Sequence, residues 1–118
     1  EMLSLKHKLA IASGSWAKDI RYILENAGAS DLFPVILGKE SASREKPHPD
    51  IFLNAAEKLG CAPSECFVLE DALKGLYAAK EAGMPCIILR NPLNQNINFD
   101  EADLIFESLE DFVSALKA

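Results

Sequence analysis

The sequence has 118 residues, of which 49% are hydrophobic and 25% are charged, a composition typical of one folded domain and not of a disordered chain. Its 18 acidic and 12 basic residues give a net charge of -6, which repels a phosphate backbone and argues against nucleic acid as a partner. No apolar run approaches the roughly 18 residues that cross a membrane, and no segment resembles a signal peptide, so we expect a cytoplasmic protein without a membrane partner.

The chain opens with Glu1-Met2 and enters almost directly into a strand-like run. This beginning is typical of an internal cut or a lost segment, and we expect residues upstream of Glu1 to belong to the same protein.

Three cysteines, Cys61, Cys66 and Cys86, have no ligand-pair spacing, and the two histidines do not complete a zinc set. We expect reduced, mostly buried thiols, which favours a reducing compartment.

Five short apolar runs without polar alternation are typical of strands buried on both faces of a parallel sheet: residues 9–12, 35–37, 67–69, 86–89 and 104–106. Segments with helical spacing lie between them and after the last one. The alternation predicts a three-layer α/β/α Rossmann-like domain with a parallel sheet. The Asn-rich stretch 91–100 reads as a surface loop.

Four helices are predicted from apolar spacing and end signals. The first carries an apolar stripe from Trp16 to Ala27, with Ser15 as a possible N-cap, and the second follows Pro49 and ends at Gly60. The third helix is predicted from a small-residue stripe formed by Ala72, Gly75, Leu76, Ala79 and Gly83. The last helix is predicted from the apolar residues Leu109, Phe112, Val113 and Leu116, with Ser108 and Asp111 at capping-box spacing.

Polar residues follow two of the strands, where ligands of open parallel sheets bind. Ser13-Gly14-Ser15 follows the first strand and offers a hydroxyl and free N–H groups to a phosphate, although an N-cap with a turn glycine would have the same residues. Glu70-Asp71 follows the third strand and suits Mg²⁺, unless Asp71 merely caps the next helix.

Between these two sites, Lys46 precedes Pro47-His48-Pro49 on a stiff loop and would place a point charge against phosphate. The alternative is an ordinary solvated lysine. His48, held between two prolines, fits a structural role better than that of a mobile base.

In combination, four stretches resemble the haloacid dehalogenase-like superfamily, in particular its sugar-phosphatase and β-phosphoglucomutase-like branch. They are LAIASGS (9–15), KPHPDIF (46–52), FVLEDALKGLYAAKEAGM (67–84) and ADLIFESL (102–109). The resemblance covers essentially all of residues 1–118, which it identifies as a partial core domain with the family's motifs two to four.

The resemblance implies a role for each matching residue. Ser13 and the Gly14 N–H would bind the phosphate, and Lys46 would act as the catalytic cation that neutralises the phosphoryl group and the nucleophile. Asp71 would coordinate Mg²⁺, with Glu70 assisting directly or through water. The substrate would be a small phosphorylated metabolite, and hydrolysis and mutase chemistry remain equally open.

The family's first motif, a strand ending in Asp-x-Asp that carries the nucleophile, is absent. The seven aspartates stand at positions 19, 31, 50, 71, 100, 103 and 111, and no two are one residue apart. The helical cap of this branch is absent too. We therefore expect the C-terminal part of an enzyme that forms an aspartyl-phosphate on an upstream aspartate, with this chain alone inactive. The alternative is a non-catalytic remnant that serves as a binding or scaffolding module.

The missing first strand also makes a prediction about the sheet. In the family it lies between the strands assigned here to residues 9–12 and 67–69. Those two strands should therefore not pair with each other, and an upstream segment should be needed to complete the sheet.

Overall fold

The computed structural model describes residues 7–117, in which five short strands and four α-helices follow one another in the predicted order. The strands are β1 (Ala10–Ala12), β2 (Val35–Leu37), β3 (Val68–Glu70), β4 (Cys86–Leu89) and β5 (Leu104–Phe106). The helices are α1 (Ala17–Asn26), α2 (Asp50–Leu59), α3 (Leu73–Glu81) and α4 (Leu109–Lys117). No helix in this part of the chain is long and apolar enough to cross a membrane. The predicted Rossmann-like α/β architecture is confirmed.

The strands pair in parallel but form two separate sheets. β1 pairs with β2, placing Ile11 opposite Ile36. β4 lies between β3 and β5, with Ile87 opposite both Leu69 and Leu104. Within residues 7–117 no pairing joins β1 to β3, as the missing-strand prediction required. Each of these two strands therefore has a single strand neighbour in the described part of the chain.

One apolar core nevertheless serves both sheets. Its buried residues include Leu37 of β2, Phe52 of α2, Val68 of β3, Leu76 of α3 and Ile88 of β4. Helix α2 packs on β1 and β2 and also contacts α3, which packs on β3 and β4. Full burial of a side chain such as Leu76 or Ile88 contributes about 1.5–3 kcal/mol. The two sheets are thus parts of one domain, joined through their helices.

The end signals of the second and last helices are confirmed. Gly60 follows α2 with a φ of 74°, the left-handed conformation that glycine adopts without steric cost. The Ser108 hydroxyl accepts the Asp111 N–H at 3.1 Å and so caps the start of α4.

The first helix differs from its prediction. It begins at Ala17 with Trp16 as its N-cap, so Ser15 does not cap it. Only part of the apolar stripe is buried: Ile20 is 8% exposed, whereas Ile23 is 64% exposed. The helix starts without a capping hydroxyl because a carboxylate from a distant loop, described below, occupies that place.

Two further expectations are corrected. The third strand runs one residue later than predicted, and one face of its sheet is only partly covered, since Leu69 and Leu104 are 38% and 55% exposed. On that face Phe112 of α4 packs edge-on against Phe67 and Phe106, which leaves the rest of the face open. The 91–100 stretch is more than a surface loop, because it contains a buried asparagine and a buried phenylalanine.

Candidate functional site

The carboxyl ends of β1 and β3 bring the predicted polar residues to one edge of the molecule. Ser13 directly follows β1, Glu70 is the last residue of β3, and Asp71 follows it. A cavity of about 350 Å³ is lined by Ser13, Gly14, Lys46 and Glu70, together with the further cationic residues Lys39, Arg44 and Lys74. Four of the five predicted site residues thus line one cavity.

The loop after β1 is held by short hydrogen bonds. The Ser13 N–H donates to Leu37 O at 2.9 Å, which continues the pairing with β2. The Ser13 hydroxyl oxygen accepts the Ser15 N–H at 3.1 Å. Among residues 7–117, the Gly14 N–H has no hydrogen-bond acceptor. The Ser13 hydroxyl proton and the Gly14 N–H are therefore free to donate, and both residues line the cavity, as phosphate binding requires.

Glu40, which sequence reasoning missed, meets the start of α1. Both oxygens of its carboxylate accept the Ala17 N–H, at 3.1 and 3.3 Å. Hydrogen bonds from the backbone N–H of Glu40 itself, and then from that of Ala17, lower the pKa of the Glu40 carboxyl. The approach needs glycine at position 38, where a Cβ would overlap with the Ala17 nitrogen. No local motif signals this contact, because the two partners lie 23 residues apart.

Lys46 is held in place and is not a freely solvated lysine. Its ammonium group donates to Glu70 Oε2 at 2.8 Å and to Ala12 O at 3.2 Å, and it lies 4.9 Å from the centre of the Phe52 ring. The side chains of Lys46 and Glu70 are only 19% and 13% exposed. Lys46 therefore links the end of β1 to the end of β3, although the two strands do not pair.

Glu70 has both carboxylate oxygens engaged. Oε2 accepts from Lys46, and Oε1 accepts the Asp71 N–H at 3.1 Å. The side chain lies across the start of α3, where a Cβ on Gly75 would overlap with its Cγ, Cδ and Oε2 atoms. The small-residue stripe of α3 therefore makes room for a carboxylate as well as for close helix packing.

Asp71 does not cap the helix that follows it. Ala72 is the N-cap of α3, and no side chain caps that helix. The exposed Asp71 carboxylate accepts a hydrogen bond from Asn91 Nδ2 at 3.2 Å through Oδ2. It lines a neighbouring cavity, also about 350 Å³, together with Glu70, Arg90 and Asn91. The Oδ1 atom of Asp71 has no hydrogen-bond partner within residues 7–117.

The donor set fits a magnesium ion in part. Among residues 7–117 no group of three or more His, Cys, Asp or Glu side chains is assembled to hold a metal. Mg²⁺ needs less than this, because it usually keeps several waters and takes one or two carboxylates plus a substrate phosphate. Asp71 offers such a carboxylate oxygen, whereas each oxygen of Glu70 already accepts one hydrogen bond from this chain.

His48 lies outside this arrangement. It is exposed, and its backbone N–H donates to Glu45 O at 3.0 Å in the turn that precedes α2. It does not line the cavity that contains Ser13 and Lys46.

Comparison with known proteins finds a matching family model and similar individual proteins. A family model described as haloacid dehalogenase-like hydrolase matches residues 1–89. The phosphoglycolate phosphatase of Escherichia coli K12 is 33% identical over 96 residues, which cover 80% of this chain and 38% of that protein.

Solved structures of two related proteins have the same fold at moderate identity. CbbY from Rhodobacter sphaeroides in complex with phosphate superposes with a TM-score of 0.81 at 31% identity, covering 88% of this chain and 48% of that one. A mutant of CbbY was solved with xylulose-(1,5)bisphosphate. The β-phosphoglucomutase of Clostridium difficile gives a TM-score of 0.80 at 30% identity, covering 97% of this chain and 49% of that one. The chain thus spans about half the length of these proteins, or less.

Proposed function

Because this chain belongs to the haloacid dehalogenase-like hydrolases, we propose that it supplies the C-terminal part of a Mg²⁺-dependent phosphatase or phosphomutase. The substrate is a small phosphorylated metabolite, and a sugar phosphate is the class we favour. The xylulose-(1,5)bisphosphate bound by the CbbY mutant and the name of the β-phosphoglucomutase support a sugar phosphate, and the name of the phosphoglycolate phosphatase supports a small phosphorylated substrate.

The placement of Lys46 is the observation that carries the proposal. A lysine whose ammonium group is fixed by Glu70 and by a backbone oxygen is already positioned before a phosphate arrives. Fixed charges stabilise developing negative charge better than mobile ones, because they need no reorganisation during the reaction. Lys46 thus acts as the cation that neutralises the transferred phosphoryl group.

Ser13 and Gly14 bind the phosphate oxygens. The Gly14 N–H is free to donate, and the Ser13 hydroxyl still has its proton to donate after accepting the Ser15 N–H. The Glu40 carboxylate already occupies the first N–H of α1, so that N–H is not available to the phosphate, and the contacts proposed here come from the Ser13-Gly14 turn.

Asp71 would hold Mg²⁺, and Glu70 anchors Lys46 beside it. A bound magnesium ion would neutralise charge on the phosphoryl oxygens and orient them. Glu70 would assist directly or through water, since each of its oxygens accepts one hydrogen bond from this chain and keeps a second lone pair.

The nucleophile comes from outside residues 1–118, which contain no Asp-x-Asp. In this proposal an aspartate upstream attacks the phosphorus atom, the P–O bond to the substrate breaks, and the leaving oxygen takes up a proton and departs as a hydroxyl group, which gives an aspartyl-phosphate. Water or a second hydroxyl then attacks the same phosphorus and releases the aspartate. The strand that carries this aspartate pairs with the unpaired sides of β1 and β3. The absence of pairing between those two strands supports this arrangement.

The test uses the intact gene product with p-nitrophenyl phosphate and a panel of sugar phosphates. Lys46→Ala should lower kcat by about 10²- to 10³-fold, the effect typical of removing one electrostatic group. Lys80→Ala is the matched control, because Lys80 is also ion-paired, to Asp103 at 2.9 Å, but lies away from the cavity. Residues 1–118 alone should give no turnover. Equal activity of the Lys46 and Lys80 variants, or turnover by residues 1–118, would contradict the proposal.

A second candidate is a non-catalytic binding module. The absence of Asp-x-Asp favours it, together with two strands whose free sides can accept an extended segment from another chain. The upstream gene sequence separates the two: an Asp-x-Asp after an apolar strand supports the enzyme, and a start codon close to residue 1 supports the module.

A further inference from the structure

The loop that leaves β4 is built around two asparagines and contacts Asp71. Asn94 is only 3% exposed. Its Nδ2 donates to Asp71 O and to Leu89 O, both at 2.9 Å, and its Oδ1 accepts the Asn91 N–H at 2.8 Å. One side chain therefore joins the residue after β3 to the last residue of β4, with every polar atom satisfied.

Asn91 has a fixed orientation. Its Oδ1 accepts the N–H groups of Leu93, at 2.8 Å, and of Asn94, at 3.1 Å. If the amide were flipped, its NH₂ group would face these two N–H donors and could not accept their hydrogen bonds. The side-chain oxygen is therefore assigned to the position that faces the two backbone N–H groups. The Nδ2 group is left to point at Asp71 Oδ2, 3.2 Å away.

Arg90 closes the loop from the other side. Its guanidinium group donates to Asn94 O at 2.7 Å and to Ile97 O at 2.8 Å, and it lies 5.0 Å from the centre of the buried Phe99 ring. The loop that carries the two asparagines is therefore held at both ends by side-chain hydrogen bonds.

We propose that Asn91 is a positioning residue for Asp71, and that Asn94 holds the backbone on which both depend. The inference rests on the proposed function, in which Asp71 is the magnesium ligand. The amide of Asn91 holds Oδ2 and so fixes the carboxylate, and Oδ1, which has no partner in the part of the chain that the structure describes, is the oxygen left for the cation. Because the amide is neutral, it orients the carboxylate without opposing the charge of the cation.

Partners that orient a metal ligand change metal affinity by 10- to 100-fold when they are removed. We expect the lower end of this range for Asn91→Ala, about tenfold weaker binding, because Asp71 is exposed and the hydrogen bond is 3.2 Å long. The loop should survive the change, since Arg90 and Asn94 still hold it.

The experiment titrates the intact gene product with Mn²⁺ and follows free Mn²⁺ by electron paramagnetic resonance. The variants are Asp71→Asn, Asn91→Ala and, as a matched control, Asn98→Ala. Asn98 donates to Asp100 Oδ2 at 3.1 Å, which is an amide–carboxylate pair in the same loop that does not touch Asp71. If Asn91→Ala fails to fold, Asn91→Ser keeps an acceptor for the backbone N–H groups and still removes the amide donor.

We expect Asp71→Asn to abolish tight binding, Asn91→Ala to weaken it about tenfold and Asn98→Ala to leave it unchanged, with circular dichroism spectra alike. If Asp71→Asn abolishes binding while Asn91→Ala and Asn98→Ala behave alike, the positioning role is wrong and the metal site stands. If the wild-type protein binds no Mn²⁺, or Asp71→Asn binds as tightly as wild type, the metal role of Asp71 in the proposed function fails and the positioning role fails with it.

Discussion

Replacing Gly75 by alanine should destabilise the protein, although glycine-to-alanine changes within helices usually stabilise. Gly75 is the third residue of α3, where alanine has the better helix propensity by about 1 kcal/mol. The new methyl group would overlap with three atoms of the Glu70 side chain, so Glu70 has to rotate away. Lys46 then loses the carboxylate that accepts its hydrogen bond at 2.8 Å.

Two opposing contributions set the size of the effect. Breaking a buried ion pair by removing one partner destabilises by about 3–5 kcal/mol. Here the side chains of Lys46 and Glu70 are 19% and 13% exposed, and both can reach water after the rotation, which reduces that figure. After the gain in helix propensity is subtracted, the free energy of unfolding should fall by about 1–3 kcal/mol. The melting temperature should fall by several degrees.

The assay is urea unfolding of the intact gene product at neutral pH, applied to a double-mutant cycle of Gly75→Ala and Glu70→Ala. Without the Glu70 side chain the overlap disappears, so Gly75→Ala should now stabilise by about 0.5–1 kcal/mol. The sign of the alanine effect therefore reverses between the two backgrounds. Stabilisation by Gly75→Ala in the wild-type background, or the same effect in both, would refute the contact between Glu70 and α3 as the reason for the glycine.

Two further predictions concern ionisable groups. Burial first, and then the carboxylates of Glu70 and Asp103, raise the pKa of the Cys86 thiol from 9.0 to about 12. The thiol stays protonated in the fold while the unfolded chain ionises, so the free energy of unfolding should fall by up to about 4 kcal/mol between pH 9.0 and about 12. Denaturant titrations should find this fall in wild type and a smaller one in Cys86→Ala. Separately, phosphate binding, measured by calorimetry, should be strengthened by Mg²⁺ in wild type and little changed by Mg²⁺ in Asp71→Asn.

Apolar pattern and end signals predicted most of the fold. Runs such as 86–89 are short, apolar and rich in branched residues, and these properties favour a strand over a helix. Three strand boundaries agree with the prediction and two differ by one residue. The separation of β1 from β3 was predicted from the missing motif. That prediction depends only on the order of the strands in the sheet and needs no side-chain detail.

The errors arose where distant residues decide the outcome. Ser15 has good capping chemistry, but the Ala17 N–H is bound by Glu40, whose loop position no local rule predicts. The 91–100 stretch has the composition of an exposed loop, and its asparagines do favour turns. Burial of Asn94 depends on two carbonyl groups that β3 and β4 bring together, so it becomes visible only once the strands are placed.

The charges at the strand ends explain why a lysine alone does not suffice for the proposed reaction. Lys46 contributes one positive charge, and Glu70 and Asp71 contribute two negative ones, so the three side chains carry a net charge of about -1 at neutral pH. These three charges alone would repel a phosphate dianion, since at about 4 Å two unit charges interact by about 4 kcal/mol near a protein surface, and the cations Lys39, Arg44 and Lys74 that line the cavity offset this repulsion. A divalent cation on Asp71 reverses the sign of this local charge, as bound cations generally do. Lys46 is paired with Glu70, so in the proposed reaction a cation on Asp71 would add to the positive charge that neutralises the phosphoryl group, while Lys46 contributes its charge from a fixed position.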